Sequence, residues 1–280
     1  MEQSELEKSK INSQKDRDIS GEKLDILDYL KTEIETNKDI LSALVYGSWL
    51  YSEKSADLDI CVIIPSEDGI VEPDVYRRLK IERGKLSEKT AQSVDLVPHT
   101  MDEISDFRSD LHFPRHNPSL VSGPNIKGDL EIKPIFDKNE SFTYADLAAH
   151  VLLDNRTICR RQIIRSLSPE ESKIFSSKLL HGPGNALTYY SCKQKEPYLI
   201  PPSNWEGSIN IFDLIYEVDS KPAYKYLLSC KNELSFGKAS ILLKWYEHLV
   251  AMVLHEDSDG KQKRAYQEYC LEIKNISTEK

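Results

Sequence analysis

Residues 46–60 read Tyr-Gly-Ser-Trp-Leu-Tyr-Ser-Glu-Lys-Ser-Ala-Asp-Leu-Asp-Ile, and this stretch decides the fold of the first half of the chain. It joins two apolar runs, residues 41–46 and 57–64, and we predict that each run forms a strand. Gly47 permits a close backbone approach at the end of the first strand, and Ser48 adds a hydroxyl. The turn after the first strand is therefore suited to binding an anion.

The second run places two carboxylates on one face. Side chains alternate along a strand, so Asp57 and Asp59 project to the same side. The other side takes Leu58, Ile60, Val62 and Ile64. At a rise of about 3.3 Å per residue the two aspartates start roughly 6.6 Å apart, close enough to converge on one or two divalent ions. Oxygen ligands of this kind indicate Mg²⁺ or Mn²⁺ shared with substrate phosphates, and a cation also relieves the repulsion between the carboxylates.

A third carboxylate fits the same plan. Residues 93–97, Ser-Val-Asp-Leu-Val, form a short β-branched run with Asp95 at its centre, and a neighbouring strand here would bring Asp95 to the pair. The alternative for Asp57 and Asp59 is a polar strand face that binds nothing, and for Asp95 an ordinary exposed strand residue.

Gly47-Ser48, eight further residues and then Asp57-Leu58-Asp59-Ile60, with Asp95 on a later strand, resemble the active-site signature of the DNA polymerase beta-like nucleotidyltransferase superfamily. The resemblance covers about residues 22–135. It implies that Gly47 and Ser48 hold the β- and γ-phosphates of a nucleoside triphosphate and that Asp57 and Asp59 bind both metal ions. Asp95 would complete one metal site or, as in relatives that modify small molecules, act as the general base.

Two positions differ from many relatives. Those proteins carry a glycine inside the loop and a serine just before the first aspartate, where this chain has Ser52 and Ala56. We expect Ser55 to supply the missing hydroxyl and to bind the nucleotide with Gly47 and Ser48. Because the Gly-Ser turn and the paired aspartates are intact, the pattern predicts an active enzyme.

Composition favours a soluble cytoplasmic protein. The 280 residues are 39% hydrophobic, enough for one large core or two ordinary ones. No apolar run approaches the roughly 18 residues that span a bilayer, and the charged start is not that of a secretory signal, so we expect no membrane partner. Five cysteines without a Cys-x-x-Cys pair indicate free thiols in a reducing compartment.

Charge disfavours long nucleic acids as substrates. The net charge is −9, with 19 basic and 29 acidic residues over 1–140 and 18 and 17 over 141–280. Proteins that bind long nucleic acids usually present a cationic face, and neither half is basic. Small-molecule acceptors are therefore favoured.

Periodicity divides the chain into three segments. Residues 1–20 are polar and charged, which predicts a disordered tail. Residues 21–140 predict a catalytic α/β (α+β) domain with a small mixed sheet, including a loop over 116–128, an edge strand over 130–135 and a boundary near 137–141. Residues 141–280 predict an all-α helical bundle that shapes the acceptor site.

Two helices of the second half carry specific expectations. Ser168-Pro-Glu-Glu171 has the pattern of a capped helix start. In an earlier helix, Leu147, Val151 and Ile158 share one face, and Arg156 and Arg160 lie opposite. A solvated face is the favoured interpretation of these arginines, and a triphosphate contact is the alternative.

The predicted reaction is transfer of a nucleoside monophosphate, with AMP from ATP favoured, to an acceptor hydroxyl with release of pyrophosphate. Two classes of acceptor stay open for the enzyme: a small molecule such as an antibiotic, and a macromolecule such as tRNA or a partner protein in a toxin-antitoxin pair. The non-enzymatic alternative is a regulatory module that binds a nucleotide or a partner without turnover. No residue selects the base, and the sequence does not indicate an oligomeric state.

Overall fold

The structure is a computed structural model that describes residues 21–52, 55, 57–112, 117–132, 142–194, 204–255 and 260–278. These residues divide into two compact units. The first unit contains the described residues of 21–65, 78–107 and 111–132, and the second contains those of 66–77, 108–110 and 142–278. The predicted tail over 1–20 and the predicted boundary near 137–141 lie outside the described residues.

The first unit is built on a mixed sheet of four strands in the order β3-β2-β1-β4. The strands are β1 (Ser42–Tyr46), β2 (Asp57–Ile64), β3 (Ser93–Thr100) and β4 (Asn125–Lys127). β1 pairs antiparallel with β2 and with β4, whereas β2 and β3 run parallel. A parallel pair needs a crossover connection, which here contains the helix α2 (Pro73–Thr90). The predicted small mixed sheet is confirmed.

The two faces of β2 have different surroundings. One face carries the four apolar residues named above, Leu58, Ile60, Val62 and Ile64, all fully buried. The helix α1 (Gly21–Glu35) precedes the sheet and buries Leu27, Leu30 and Ile34, as its periodicity predicts. The opposite face continues from the aspartates into a second apolar cluster made of Leu44, Cys61, Ile63, Leu111, Leu120 and Ile132. The carboxylates therefore lie at one end of a face whose other end is packed.

Residues 117–132 differ from the predicted loop and edge strand. The short helices α3 (Met101–Ser105) and α4 (Asn117–Val121) flank a 3₁₀ turn at Asp110–His112. The fourth strand is Asn125–Lys127, inside the predicted loop, whereas residues 130–132 form no strand and 133–135 lie outside the described residues. The strand has three residues, and Ile126 is its single buried apolar side chain. Such a short segment gives no periodic signal in the sequence, so it forms a strand because it pairs with β1.

The second unit is helical in the part of 142–278 that the structure describes. Its helices are α5 (Tyr144–Arg165), α6 (Pro169–Leu180), α7 (Gly182–Gln194), α8 (Trp205–Tyr216), α9 (Lys221–Cys230), α10 (Phe236–Leu254) and α11 (Lys261–Thr278). The predicted start of α6 is confirmed, because the Ser168 hydroxyl accepts from the Glu171 backbone N–H and the Glu171 carboxylate accepts from that of Ser168. A mixed α/β protein with extensive helix is thus established.

The prediction of which face of α5 is buried is wrong. Arg156 and Arg160 are fully buried, whereas Leu147 and Val151 are 41% and 42% exposed. Arg160 Nε donates to Glu247 Oε1 of α10 at 2.7 Å. The partner lies 87 residues away in sequence, so the apolar periodicity of α5 alone gave no sign that this arginine face is the buried one.

Two further expectations concern the cysteines and membrane-spanning helices. All five cysteines are free thiols, and four of them are buried. Among the described helices, none is long and apolar enough to cross a membrane.

Candidate active site

The register of the sheet brings the three predicted aspartates to one face. Asp59 and Asp95 are direct partners across the parallel β2–β3 pair, and Asp57 is the partner of Ser93. Partners in neighbouring strands project to the same side of a sheet, and so do residues two apart in one strand. The three carboxylates therefore emerge from the same face of the first unit.

The three aspartates differ in how deeply they are buried. Asp57 is exposed, Asp59 is partly buried, and Asp95 is only 1% exposed. The interpretation of Asp95 as an ordinary exposed strand residue is therefore wrong. A buried carboxylate is costly unless other groups stabilise it, so Asp95 occupies a position defined by the surrounding structure.

Gly47 lies directly beside Asp59. Its φ is 86° and its ψ is −171°, a conformation that is nearly exclusive to glycine. A Cβ at this position would stand 2.9 Å from Asp59 Oδ2. Asp59 Oδ2 thus occupies the place that a side chain at residue 47 would need, at the point where β1 ends and the turn begins.

Ser48 and Ser55 face each other across the turn. Their hydroxyl oxygens are 2.9 Å apart, and the Ser55 hydroxyl donates to the Asp57 carbonyl at 3.3 Å. A 3₁₀ turn over Ser48–Leu50 follows Gly47, and the Ser48 carbonyl accepts from the backbone N–H groups of Tyr51 and Ser52. The predicted nucleotide-binding residues Gly47, Ser48 and Ser55 are therefore neighbours of the carboxylates.

Two side chains that the sequence did not single out hold this turn. Lys23 Nζ of α1 donates to the Trp49 carbonyl at 2.6 Å and to the Ser52 carbonyl at 3.2 Å. The Tyr51 and Ser122 hydroxyls are 2.9 Å apart. Both contacts join residues distant in sequence, and the Lys23 bonds go to backbone carbonyls, which leave no mark in the sequence.

His99, a buried histidine of β3, does not join the site. His99 lies on the same strand face as Asp95 but four residues further, or roughly 13 Å along the strand. It is buried, and its Nδ1 is 3.4 Å from Glu103 Oε2. His116 lies outside the described residues, as does Ala56 of the motif. Packing is therefore the role of His99.

The three aspartates provide a partial fit to a metal ion. Their oxygens are the ligands that Mg²⁺ and Mn²⁺ prefer, and the Gly47 turn packs directly against one of them. Yet the described residues contain no group of three or more His, Cys, Asp or Glu side chains gathered closely enough to hold an ion. An ion here would need oxygens from the substrate, which is how Mg²⁺ is usually bound beside phosphates.

A cavity of about 320 Å³ lies elsewhere, within the second unit. Asp68, His248 and Tyr269 contribute to its lining, and none of the predicted site residues does. Its acidic side chains are partly neutralised, since Lys244 pairs with Glu72 at 2.9 Å and Lys261 with Asp68 at 2.7 Å. We assign no ligand to this cavity.

Comparisons of the chain with protein-family profiles, with curated proteins and with solved structures found no match.

Proposed function

We propose that the chain is a metal-dependent nucleotidyltransferase that moves a nucleoside monophosphate, with AMP from ATP favoured, to an acceptor hydroxyl. The observation that carries the proposal is the alignment of Asp59 with Asp95 across β2 and β3, with the Gly47 turn against Asp59. This arrangement supports the resemblance to the polymerase beta-like superfamily that the motif suggests.

In this proposal the turn receives the triphosphate. Gly47 lets the backbone lie directly beside Asp59. The Ser48 and Ser55 hydroxyls, which contact each other and, for Ser55, the Asp57 carbonyl, would turn to donate hydrogen bonds to phosphate oxygens. Without a side chain at residue 47, the phosphates can lie close to the carboxylates. A cation held by Asp57 and Asp59 would reduce the repulsion between the carboxylates and the phosphates.

The carboxylates would hold Mg²⁺ or Mn²⁺. Asp57 and Asp59 would be the first ligands, and Asp95 would be either a further ligand or the base that takes the proton from the acceptor hydroxyl. When bound, such ions lower the pKa of an attacking hydroxyl and stabilise departing pyrophosphate. Because Asp95 is buried next to Asp59, its position is set by the sheet before the substrate arrives.

The reaction is an in-line displacement at the α-phosphorus. The acceptor oxygen forms a bond to phosphorus, the bond to the bridging oxygen of the β-phosphate breaks, and pyrophosphate leaves with that electron pair. The hydroxyl proton goes to Asp95 or to solvent. Placement and charge are what the protein contributes to such a reaction.

The acceptor in this proposal is a small molecule with a hydroxyl group. The net charge of −9 and the absence of a basic half argue against a long polyanionic acceptor. The net negative charge attracts cationic acceptors and repels RNA, and both effects are strongest at low ionic strength.

The experiment is incubation of the protein with Mg²⁺ and each α-labelled nucleoside triphosphate, together with small-molecule, RNA or protein fractions of a cell extract. Label in the small-molecule fraction supports the proposal. Label in RNA or protein would keep nucleotidyl transfer and replace the acceptor class. No transfer, with no Mg²⁺-dependent thermal shift on adding any nucleotide, would contradict the activity.

A further inference from the structure

We propose that Lys23 is a positioning residue that holds the Gly47 turn in the form that binds the triphosphate. This inference rests on the proposed function, since it names a further residue that serves the same site. Lys23 lies in the first turn of α1, more than twenty residues before the motif.

The geometry around Lys23 is specific to the turn. Its ammonium group donates to the carbonyls of Trp49 and Ser52 at 2.6 and 3.2 Å. It also lies 5.3 Å from the centre of the Trp49 ring, and Trp49 is only 2% exposed. The ammonium group thus contacts two carbonyls and lies over a buried ring. Hydrogen bonds from a charged donor are stronger than those from a neutral one.

The two carbonyls belong to a turn that has hydrogen bonds of its own and also accepts hydrogen bonds from α1. The Ser48 carbonyl accepts from the N–H groups of Tyr51 and Ser52 at 3.1 and 2.8 Å, and Lys23 then binds the carbonyl of Ser52. Lys23 therefore ties the end of the turn to α1. Gly47 and Ser48 stand at the other end of the same short segment.

Loss of the ammonium group would let the turn sample other conformations. Gly47 has little intrinsic preference for its observed conformation, so the turn depends on such external contacts. The measured affinity of a ligand falls in proportion to the fraction of the protein that is competent to bind. Lys23 contacts no reacting group in this account, so the affinity for the nucleotide should change more than the rate of the chemical step.

The test uses the full chain with Lys23→Met, Lys23→Arg and the control Lys31→Met. Methionine keeps most of the apolar stem over Trp49 and removes the charge, whereas arginine keeps a cationic donor. Lys31 is an exposed residue of the same helix. Circular dichroism and thermal melting establish that each variant is folded.

Hydrogen exchange tests the positioning without any nucleotide. Peptides that cover residues 47–52 should exchange about tenfold faster in Lys23→Met, because a charge-assisted contact that limits opening is lost. Peptides from β3 serve as the internal control. Unchanged exchange over 47–52 in Lys23→Met would overturn the inference, whatever the activity of the protein.

Nucleotide binding then tests the link to the site. For MgATP we expect Lys23→Met to raise Kd and KM about tenfold with kcat within about threefold, and we expect Lys23→Arg to recover most of the loss. Equal Kd values in the wild type and Lys23→Met would overturn the inference. If the wild type binds no MgATP, the proposed function fails, and the exchange measurement still decides whether Lys23 holds the turn.

Discussion

Asp59 of β2 and Asp95 of β3 are direct partners in a parallel strand pair, although 35 residues separate them in sequence. The crossover through α2 brings them together, and Gly47 places the turn against Asp59 Oδ2. One exposed, one partly buried and one buried carboxylate thus share a face with a glycine turn. The predictions below follow from that arrangement and from the packing of the second unit.

Asp57→Asn should abolish nucleotidyl transfer and leave the fold intact. Asp57 is exposed, so its substitution removes a metal ligand and leaves the core unchanged. We expect at least a hundredfold loss of kcat/KM, of the order seen when a charge-stabilising group is removed, with a melting temperature within about 2 °C of the wild type. Asp74→Asn, at another exposed position, is the matched control and should retain activity. Full activity of Asp57→Asn would contradict its assignment.

Gly47→Ala should lower both stability and activity. The φ of 86° is strained for alanine, and the new Cβ would stand 2.9 Å from Asp59 Oδ2. We expect a loss of about 1–3 kcal/mol in the free energy of unfolding and a larger loss of nucleotide binding. Gly84→Ala is the control, because a Cβ there meets nothing within 4 Å in an exposed part of α2, and a gain of about 0.5–1 kcal/mol is expected. Equal melting temperatures for the two variants would contradict the account of the turn.

Much of the first unit could be predicted because its signals are local. The alternation of Asp57 and Asp59 with apolar residues specifies a strand with one polar end, and Gly47-Ser48 marks where β1 stops. The direct pairing of Asp59 with Asp95 could only be hypothesised, since register depends on contacts between segments.

Other features could not be read from the sequence because distant groups decide them. Asn125–Lys127 becomes a strand only by pairing with β1. Lys23 contacts Trp49 of the turn, 26 residues away in sequence. Ser122 contacts Tyr51, 71 residues away. Arginines on a helix usually face solvent, so the burial of Arg160 depends on a carboxylate in another helix.

Glu247→Leu should strongly destabilise the second unit. Its Oε1 accepts from Arg160 Nε at 2.7 Å and from the Tyr76 hydroxyl at 2.6 Å, and its Oε2 accepts from the Val71 N–H at 2.9 Å. Removing the carboxylate takes away the charge that Arg160 Nε contacts inside the protein, and breaking a buried ion pair in this way costs about 3–5 kcal/mol. Urea unfolding followed by tryptophan fluorescence measures this loss.

A double variant separates the charge from the packing at this position. Arg160→Met combined with Glu247→Leu should recover at least half of the lost stability, because both charges of this buried ion pair are then removed together. Glu272→Gln, at an exposed position of α11, should change the stability by less than about 0.5 kcal/mol. A double variant as unstable as the sum of its single variants would show that the ion pair does not couple the two residues.

The stability of the second unit should fall as the pH falls from about 6.5 to 4. Burial, with a smaller contribution from Lys244, lowers the pKa of His248 to about 4, while the carboxylate of Glu72 opposes this shift. The unfolded chain, with a histidine pKa near 6.5, therefore binds more protons than the folded one in this window, and stability rises with pH. The contribution is about 2–3 kcal/mol between the two ends of the window.

His248→Gln provides the comparison. This variant lacks the titrating group, so its unfolding free energy should vary less between pH 4 and 6.5 than that of the wild type. The slope is measured by urea unfolding at several pH values. Identical slopes in the two proteins would contradict the depressed pKa of His248.

The most direct test of the proposed reaction follows the label of ATP from two positions. The wild type and Asp59→Asn are incubated in parallel with Mg²⁺, a fraction of acceptor molecules and either α-labelled or γ-labelled ATP. We predict that the wild type transfers the α label to the acceptor and releases the γ label as pyrophosphate, and that Asp59→Asn does neither. Transfer of the γ label to the acceptor, or equal pyrophosphate release by Asp59→Asn, would contradict nucleotidyl transfer at this site.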